Sequence, residues 1–320
     1  MLRILGAALA AALLCAAPGA QAQQFPTKEI TLIVPFNPGG STDFVGRGFA
    51  EVFKTVVKQA VTVQNVPGAG TATGFTKLSE APADGYTLAV MGPFMVTTSL
   101  RQQLKVPLEN FTYLARLSLE TFVLGVPRAS PHQSLKDYVA AAKKSAGAVA
   151  VGTAGSGTLT HLTAAAIAGA IGAELNIVHF AGGGKLTPAV LGGHVDSGMF
   201  SQVEVVPHAG PTGGLRVLAT FGAQRSKLLP DVPTLKELGI AGVPAGPWQG
   251  IVAPKGLPPV VAAALLEAID KTVKHPDWLA FLDKNGLSPY YARGAELDAF
   301  LKSEIATTKK LLQATGLDKQ

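Results

Sequence analysis

Short apolar runs closed by glycine or proline alternate along this chain with stretches whose apolar residues recur every three or four positions. Residues 30–35 are apolar, carry β-branched side chains and show no sustained polar alternation, the pattern of a strand buried on both faces. Pro38, Gly39 and Gly40 stop that strand, and Ser41 or Thr42 caps a helix with apolar residues at Val45, Phe49, Val52 and Val56. The order is strand, glycine turn, helix N-terminus.

The alternation continues through strands at 61–65 and 86–91 with a small-residue helix at 73–80 between them, and the second strand ends at 92–94. Runs at 111–116 and 122–126 follow, and the proline-bounded segment 127–131 is expected to carry the chain into a second lobe. There Ser134 opens a helix to Lys144. Residues 149–161 then repeat the opening device: a short apolar strand, a glycine-rich loop, and a helix start capped by Thr158 or Thr160. Strands at 175–180, 195–200 and 215–220 and a short helix at 186–191 complete the lobe, and 249–253 is the return crossing. The remainder reads as three helices, 259–274, 276–285 and 294–312, packing back on the first lobe. The pattern predicts an α/β chain with mostly parallel, doubly wound sheets, one lobe at 23–124 and 249–320 and another at 125–248.

Each strand–glycine–helix junction has a chemical consequence. The first turn of a helix carries amide N–H groups without internal partners and the positive end of its dipole, so it suits an anion. Two such junctions make Phe36, Asn37, Gly39, Gly40, Ser41, Thr42, Thr153, Ala154, Gly155, Ser156 and Thr158 the candidate binding residues. Phe94, at the carboxyl end of its strand, shares that sheet edge. Asp43 suits the first helical turn but repels an anion unless it accepts from a hydroxyl, water or backbone group. His161 either donates to an anion or has a structural role, as a cap or in packing.

Composition narrows the class. The chain has 320 residues, 48% of them hydrophobic and 15% charged, enough for two well-buried domains. Residues 1–22 hold one basic residue, Arg3, a long uncharged run and alanines at 20 and 22, which reads as a cleaved secretory signal. The only cysteine, Cys15, lies inside it, so the mature chain has no thiolate or disulfide chemistry. Without Arg3, 26 of the 27 basic residues face 21 acidic ones, a mild +5 that is scattered rather than striped, and nucleic acid is not expected as a partner.

Catalytic motifs fail on inspection. Residues 154–158 place Ala154 and Thr158 where a nucleophile elbow needs glycine, so Ser156 is a poor nucleophile. Residues 182–186 put Leu186 where a phosphate loop needs Ser or Thr, and the glycines at 152–157 have the wrong offsets for a dinucleotide fingerprint. The six histidines form no i,i+4 pair. No metal or cofactor is expected.

Residues 30–47, 65–70, 83–88, 155–157 with His161, 191–196 and 229–234 resemble, in order and spacing, the extracytoplasmic solute receptors of tripartite tricarboxylate transporters, the Bug family. The resemblance implies a type II, two-lobed Venus-flytrap binding protein of the periplasm. It implies a monomer that hands an organic carboxylate to membrane permease subunits, without catalysis or cofactor. By the same resemblance the loops 36–43 and 153–158 face each other across the cleft. Asn37, Phe180 and the run 201–204 depart from the family's usual residues, so the ligand does not transfer. Phe36, Phe94, Phe200 and Trp248 form either an apolar wall, suited to a flat or aromatic acid rather than a small dicarboxylate, or core. A carboxylate sensor for a signalling partner and a secreted hydrolase using Ser156 and His161 are the alternatives.

Overall fold

The computed structural model describes residues 25–101, 103–210 and 212–317; the expected signal segment lies outside them. The first lobe contains β1 (Ile30–Val34), α1 (Ser41–Val57), β2 (Val61–Asn65), α2 (Ala72–Glu80), β3 (Thr87–Met91), α3 (Pro93–Leu100) and β4 (Phe111–Leu119). The second contains β5 (Phe122–Pro127), α4 (Leu135–Ala142), β6 (Ala150–Thr153), α5 (Leu159–Ile171), β7 (Asn176–His179), α6 (Gly183–Leu191), β8 (Ser197–Ser201), α7 (Gln202–Val205) and β9 (Leu215–Thr220). The chain then returns through β10 (Trp248–Pro254), α8 (Pro259–Val273), α9 (Pro276–Lys284), β11 (Ser288–Ala292) and α10 (Gly294–Thr315).

Two sheets result, in the orders β11-β4-β10-β3-β1-β2 and β7-β6-β8-β5-β9. They are mixed rather than mostly parallel. β1 runs parallel to β2 and β3, and β6 to β7 and β8. The strand that enters each sheet from the other lobe, β10 or β5, is inserted antiparallel to both of its neighbours. Apolar side chains on both faces of each sheet explain why the strands read as continuous runs. Leu32, Val34 and Val90 pack under α1, while Ile33, Ala89 and Met91 meet α2 and α3.

The crossing comes earlier than residues 127–131. β5 belongs wholly to the second sheet, so the chain changes lobe at Glu120–Thr121. Glu120 N–H donates to Pro247 O and Phe122 N–H to Ala245 O, which ties outgoing and returning segments into one hinge. Pro289 and a register shift place β11 on the sheet edge, where its Ser-Pro-Tyr-Tyr run does not announce a strand. α10 spans both lobes, with Leu312, and Leu317 just past its end, against Leu162 of α5 and Leu100 at the end of α3.

Candidate functional site

The glycine turn after β1 does not face only the turn after β6. Its direct partner is the N-terminus of α6. A side-chain carbon on Gly184 would lie 2.1 Å from Pro38 O, and one on Gly40 only 3.2 Å from Gly183 N, so bare backbone is what lets the lobes meet. Asn37 Nδ2 donates to Ala181 O across the same seam at 2.6 Å. α6 begins three residues before the expected helix, at the glycines themselves.

Two cavities lie along this seam. An inner one of about 50 Å³ is walled by the first turns of α1 (Ser41, Thr42), α5 (Leu159, Thr160) and α6 (Gly183), by Phe36, Phe94 and Phe122, and by Glu204 and Gln249. The rings of Phe36 and Phe94 meet edge-on at 5.0 Å. An outer cavity of about 650 Å³ shares Phe36, Ala154 and Thr158 with it and adds Gly155, Ser156, His179, Phe180, Lys105 and the strip 67–71.

Glu204 lines the inner cavity, and a second acid, Glu120, lies behind its wall, bonded to the lining residues Ser41 and Gln249. Glu120, at the hinge, is 2% exposed, and both of its oxygens lie within hydrogen-bond reach of Ser41 Oγ, at 2.5 and 2.6 Å. Gln249 Nε2 donates to its Oε1 at 3.2 Å. Glu204 accepts from Ser41 N–H at 2.8 Å on one oxygen and from Ser201 N–H at 3.0 Å on the other. Thus a carboxylate of the second lobe sits on the α1 N-terminus of the first. Burial pushes the Glu204 carboxyl up to about 7, against the amide of Ser41 and helped by the charge of Glu120. Burial likewise raises Glu120 above the usual carboxylate range, against Ser41, Ser201 and Gln249. Among the described residues neither acid has a salt-bridge partner. The carbonyl Oε1 of Gln249, a residue 1% exposed, is buried with no hydrogen-bond donor.

The outer cavity has the opposite character. Lys105 stands on its wall. A side-chain carbon on Gly157 would collide with the Arg101 guanidinium, which places that charge beside the second glycine turn. Burial first, then His179 and Arg101, pushes His161 down to about 4, and burial with Arg101 also lowers His179.

Several expected site residues line neither cavity. Asp43 accepts from Gly39 N–H, Arg47 and Asn65 Nδ2, so it braces the first turn from behind. Burial opposes its ionisation, but those donors outweigh burial and hold its carboxyl below the ordinary value. Gly39 and Asn37 serve that brace and the seam. Thr153 Oγ1 pairs with His179 Nδ1, and His161 Nδ1 accepts from Gly157 N–H, so both fix the second turn internally. Phe200 and Trp248 belong to the cores, leaving Phe36 and Phe94, with Phe122, as the apolar wall. The caps divide: Gly40, rather than Ser41 or Thr42, is the N-cap of α1, whereas Thr158 is the N-cap of α5 by position, its hydroxyl donating to Gly155 O, and Thr160 Oγ1 accepts from Ala154 N–H. Ser156 lies on the outer wall, and among the described residues no hydrogen bond joins it to His161.

A family model for the tripartite tricarboxylate transporter family receptor matches residues 45–317. The chain belongs to that family. A relative from Cupriavidus necator, the UPF0065 protein in the gbd 5′ region, is 35% identical over 98% of this chain and 96% of its own. The solved periplasmic binding protein BugD is 27% identical, with a TM-score of 0.86 over 92% of this chain and 100% of that one. MatC from Rhodopseudomonas palustris, solved with bound malate, is 25% identical, with a TM-score of 0.82 over 90% and 100%. The receptor is therefore a two-lobed solute-binding fold, and no helix among its described residues is long and apolar enough to cross a membrane.

Proposed function

We propose that this receptor closes its lobes on one small organic carboxylate in the periplasm, after loss of its leader, and delivers it to the permease of a tripartite tricarboxylate-type transporter without chemical change. The observation that carries the reading is the convergence of three helix N-termini, one from the first lobe and two from the second, on a cavity that opens toward Lys105 and the Arg101 charge. The carboxylate end belongs in the outer cavity. There Ser156 supplies a hydroxyl and Lys105 supplies charge, whereas the inner helix terminus already holds Glu204. Malate in MatC supports an organic acid as the solute class.

Magnitudes favour capture by both lobes. A charge-assisted hydrogen bond contributes roughly 1.5–3 kcal/mol net, whereas micromolar binding needs about 8 kcal/mol after ordering costs. One turn does not suffice. A thermal-shift and calorimetric screen with citrate, malate, benzoate, terephthalate and nicotinate tests the reading. Saturable binding of at least one acid, accompanied by compaction in X-ray scattering, is expected; ester or amide turnover lost on Ser156→Ala would overturn it in favour of a hydrolase.

A further inference from the structure

The reading above accounts for the basic outer cavity and leaves the acidic inner one unused. Its walls carry an excess of acceptors. Ser41 has a single hydroxyl hydrogen to share between the two oxygens of Glu120, Ser201 and Gln249 are its other side-chain partners, and each carboxylate offers roughly four lone-pair sites. Glu204 receives two amide donors, one per oxygen. Gln249, a lining residue, turns its amide nitrogen to Glu120 and Thr42, which leaves its carbonyl oxygen buried without a donor. Buried acceptors are costly when unpaired, and an acid pair without a neighbouring cation favours a group that brings N–H bonds or positive charge.

A second carboxylate does not fit that environment. It would bury further negative charge beside Glu204 and Glu120, where burial already disfavours the ionised carboxyls, on a helix terminus whose Ser41 amide is engaged. The two cavities share Phe36, Ala154 and Thr158, so one elongated solute can reach from the basic end to the acidic end. We infer that the solute is bipolar: its carboxylate lies in the outer cavity and a nitrogen-borne hydrogen-bond-donor head, ammonium or carboxamide, enters the inner cavity against Glu204 and Gln249, with Glu120 behind them. This rests on the proposed carboxylate receptor and adds the chemistry of the other end. Glu204 and Glu120 are then the specificity-determining residues.

Calorimetry with 5-aminopentanoate, glutaramate and glutarate tests the inference, because the three share one carboxylate and differ only at the far end. For the unmodified protein the amine or the amide is expected to bind about 10- to 100-fold tighter than glutarate, as hydrogen bonds to buried charged acceptors imply. Which of the two wins separates a charged head from a neutral donor. Glu204→Gln and, independently, Glu120→Gln are expected to shrink that preference about tenfold or more while glutarate binding holds or improves. Equal or tighter binding of glutarate to the unmodified protein overturns the inference and leaves the carboxylate receptor standing. A preference that neither variant moves also overturns it. Absence of binding by all three overturns this inference alone, because the carboxylate reading is judged by the citrate, malate, benzoate, terephthalate and nicotinate screen.

Discussion

The two glycine turns share one sequence device but differ in what occupies their amides. In the first turn, Gly39 N–H goes to Asp43 of its own helix and Ser41 N–H goes to Glu204 of the opposite lobe. In the second, Ala154 N–H goes to Thr160 Oγ1 and Gly157 N–H to His161 Nδ1, both within the same lobe. One turn is thus wired across the cleft by acids, and the other is wired to itself by neutral groups. The difference teaches that a strand–glycine–helix junction marks a binding edge without stating whether its donors remain available for a ligand.

The largest expected effect breaks the seam. A side chain at position 184 must push against Pro38 O, and overpacking of this kind costs roughly 1–3 kcal/mol, so Gly184→Val is expected to weaken solute binding about 10- to 100-fold. X-ray scattering should show solute-induced compaction lost as well. Gly155→Val acts on the second turn alone. Its φ of +142° disfavours a side chain, with strain of order 1–3 kcal/mol, and about tenfold weaker binding with compaction retained is expected by calorimetry.

Smaller effects separate the braces. Asp43→Asn should lower unfolding stability by about 1.5–3 kcal/mol in denaturant titration, because the charge-assisted bonds to Gly39 and Arg47 are lost. His161→Ala should cost about 1–3 kcal/mol by leaving the Gly157 amide without its acceptor. Neither should alter the preference between solutes, since neither residue lines the inner or the outer cavity of the seam.

The finest distinction is in pH, where the two turns carry opposite signs. Glu204 binds its proton more tightly folded than unfolded, so its contribution is present below the ordinary carboxylate range and is lost as pH rises through about 7. His161 binds its proton less tightly folded, so its contribution is present above about 6.5 and is lost as pH falls through about 4. Thermal unfolding should therefore show Glu204→Gln gaining on the unmodified protein between pH 5 and pH 8. His161→Asn should gain on it between pH 6.5 and pH 4. The same sign in both windows would mean that the two turns are not wired as described.

The fold was legible where local pattern decides it. Both junctions, the helix opened by Ser134, whose side chain accepts from Asp137 N–H, and the return strand at Trp248 all follow from periodicity and capping. The mixed sheets were not legible, because insertion of β5 and β10 depends on which lobe each strand joins, a long-range choice that apolar runs do not encode. The site was legible on its glycine side, at Gly40, Ser41, Ala154, Gly155 and Thr158. Its acids were not. Glu120 follows β4 like any residue leaving a strand, and only the hinge carries it under Ser41. Glu204 stood out as a departure from the family's usual run, and its i,i+3 relation to Ser201 is a capping-box signal, but neither feature announces that it reaches the opposite lobe.

The most direct test of a single solute held by both lobes is a crystal structure grown with the tightest-binding acid from the calorimetric series. The account predicts that the bound molecule touches the turn at Gly40–Thr42 and the turn at Gly155–Thr158 at once, with its carboxylate on the Lys105 side. A molecule seated on one lobe alone, or outside both cavities, would contradict it.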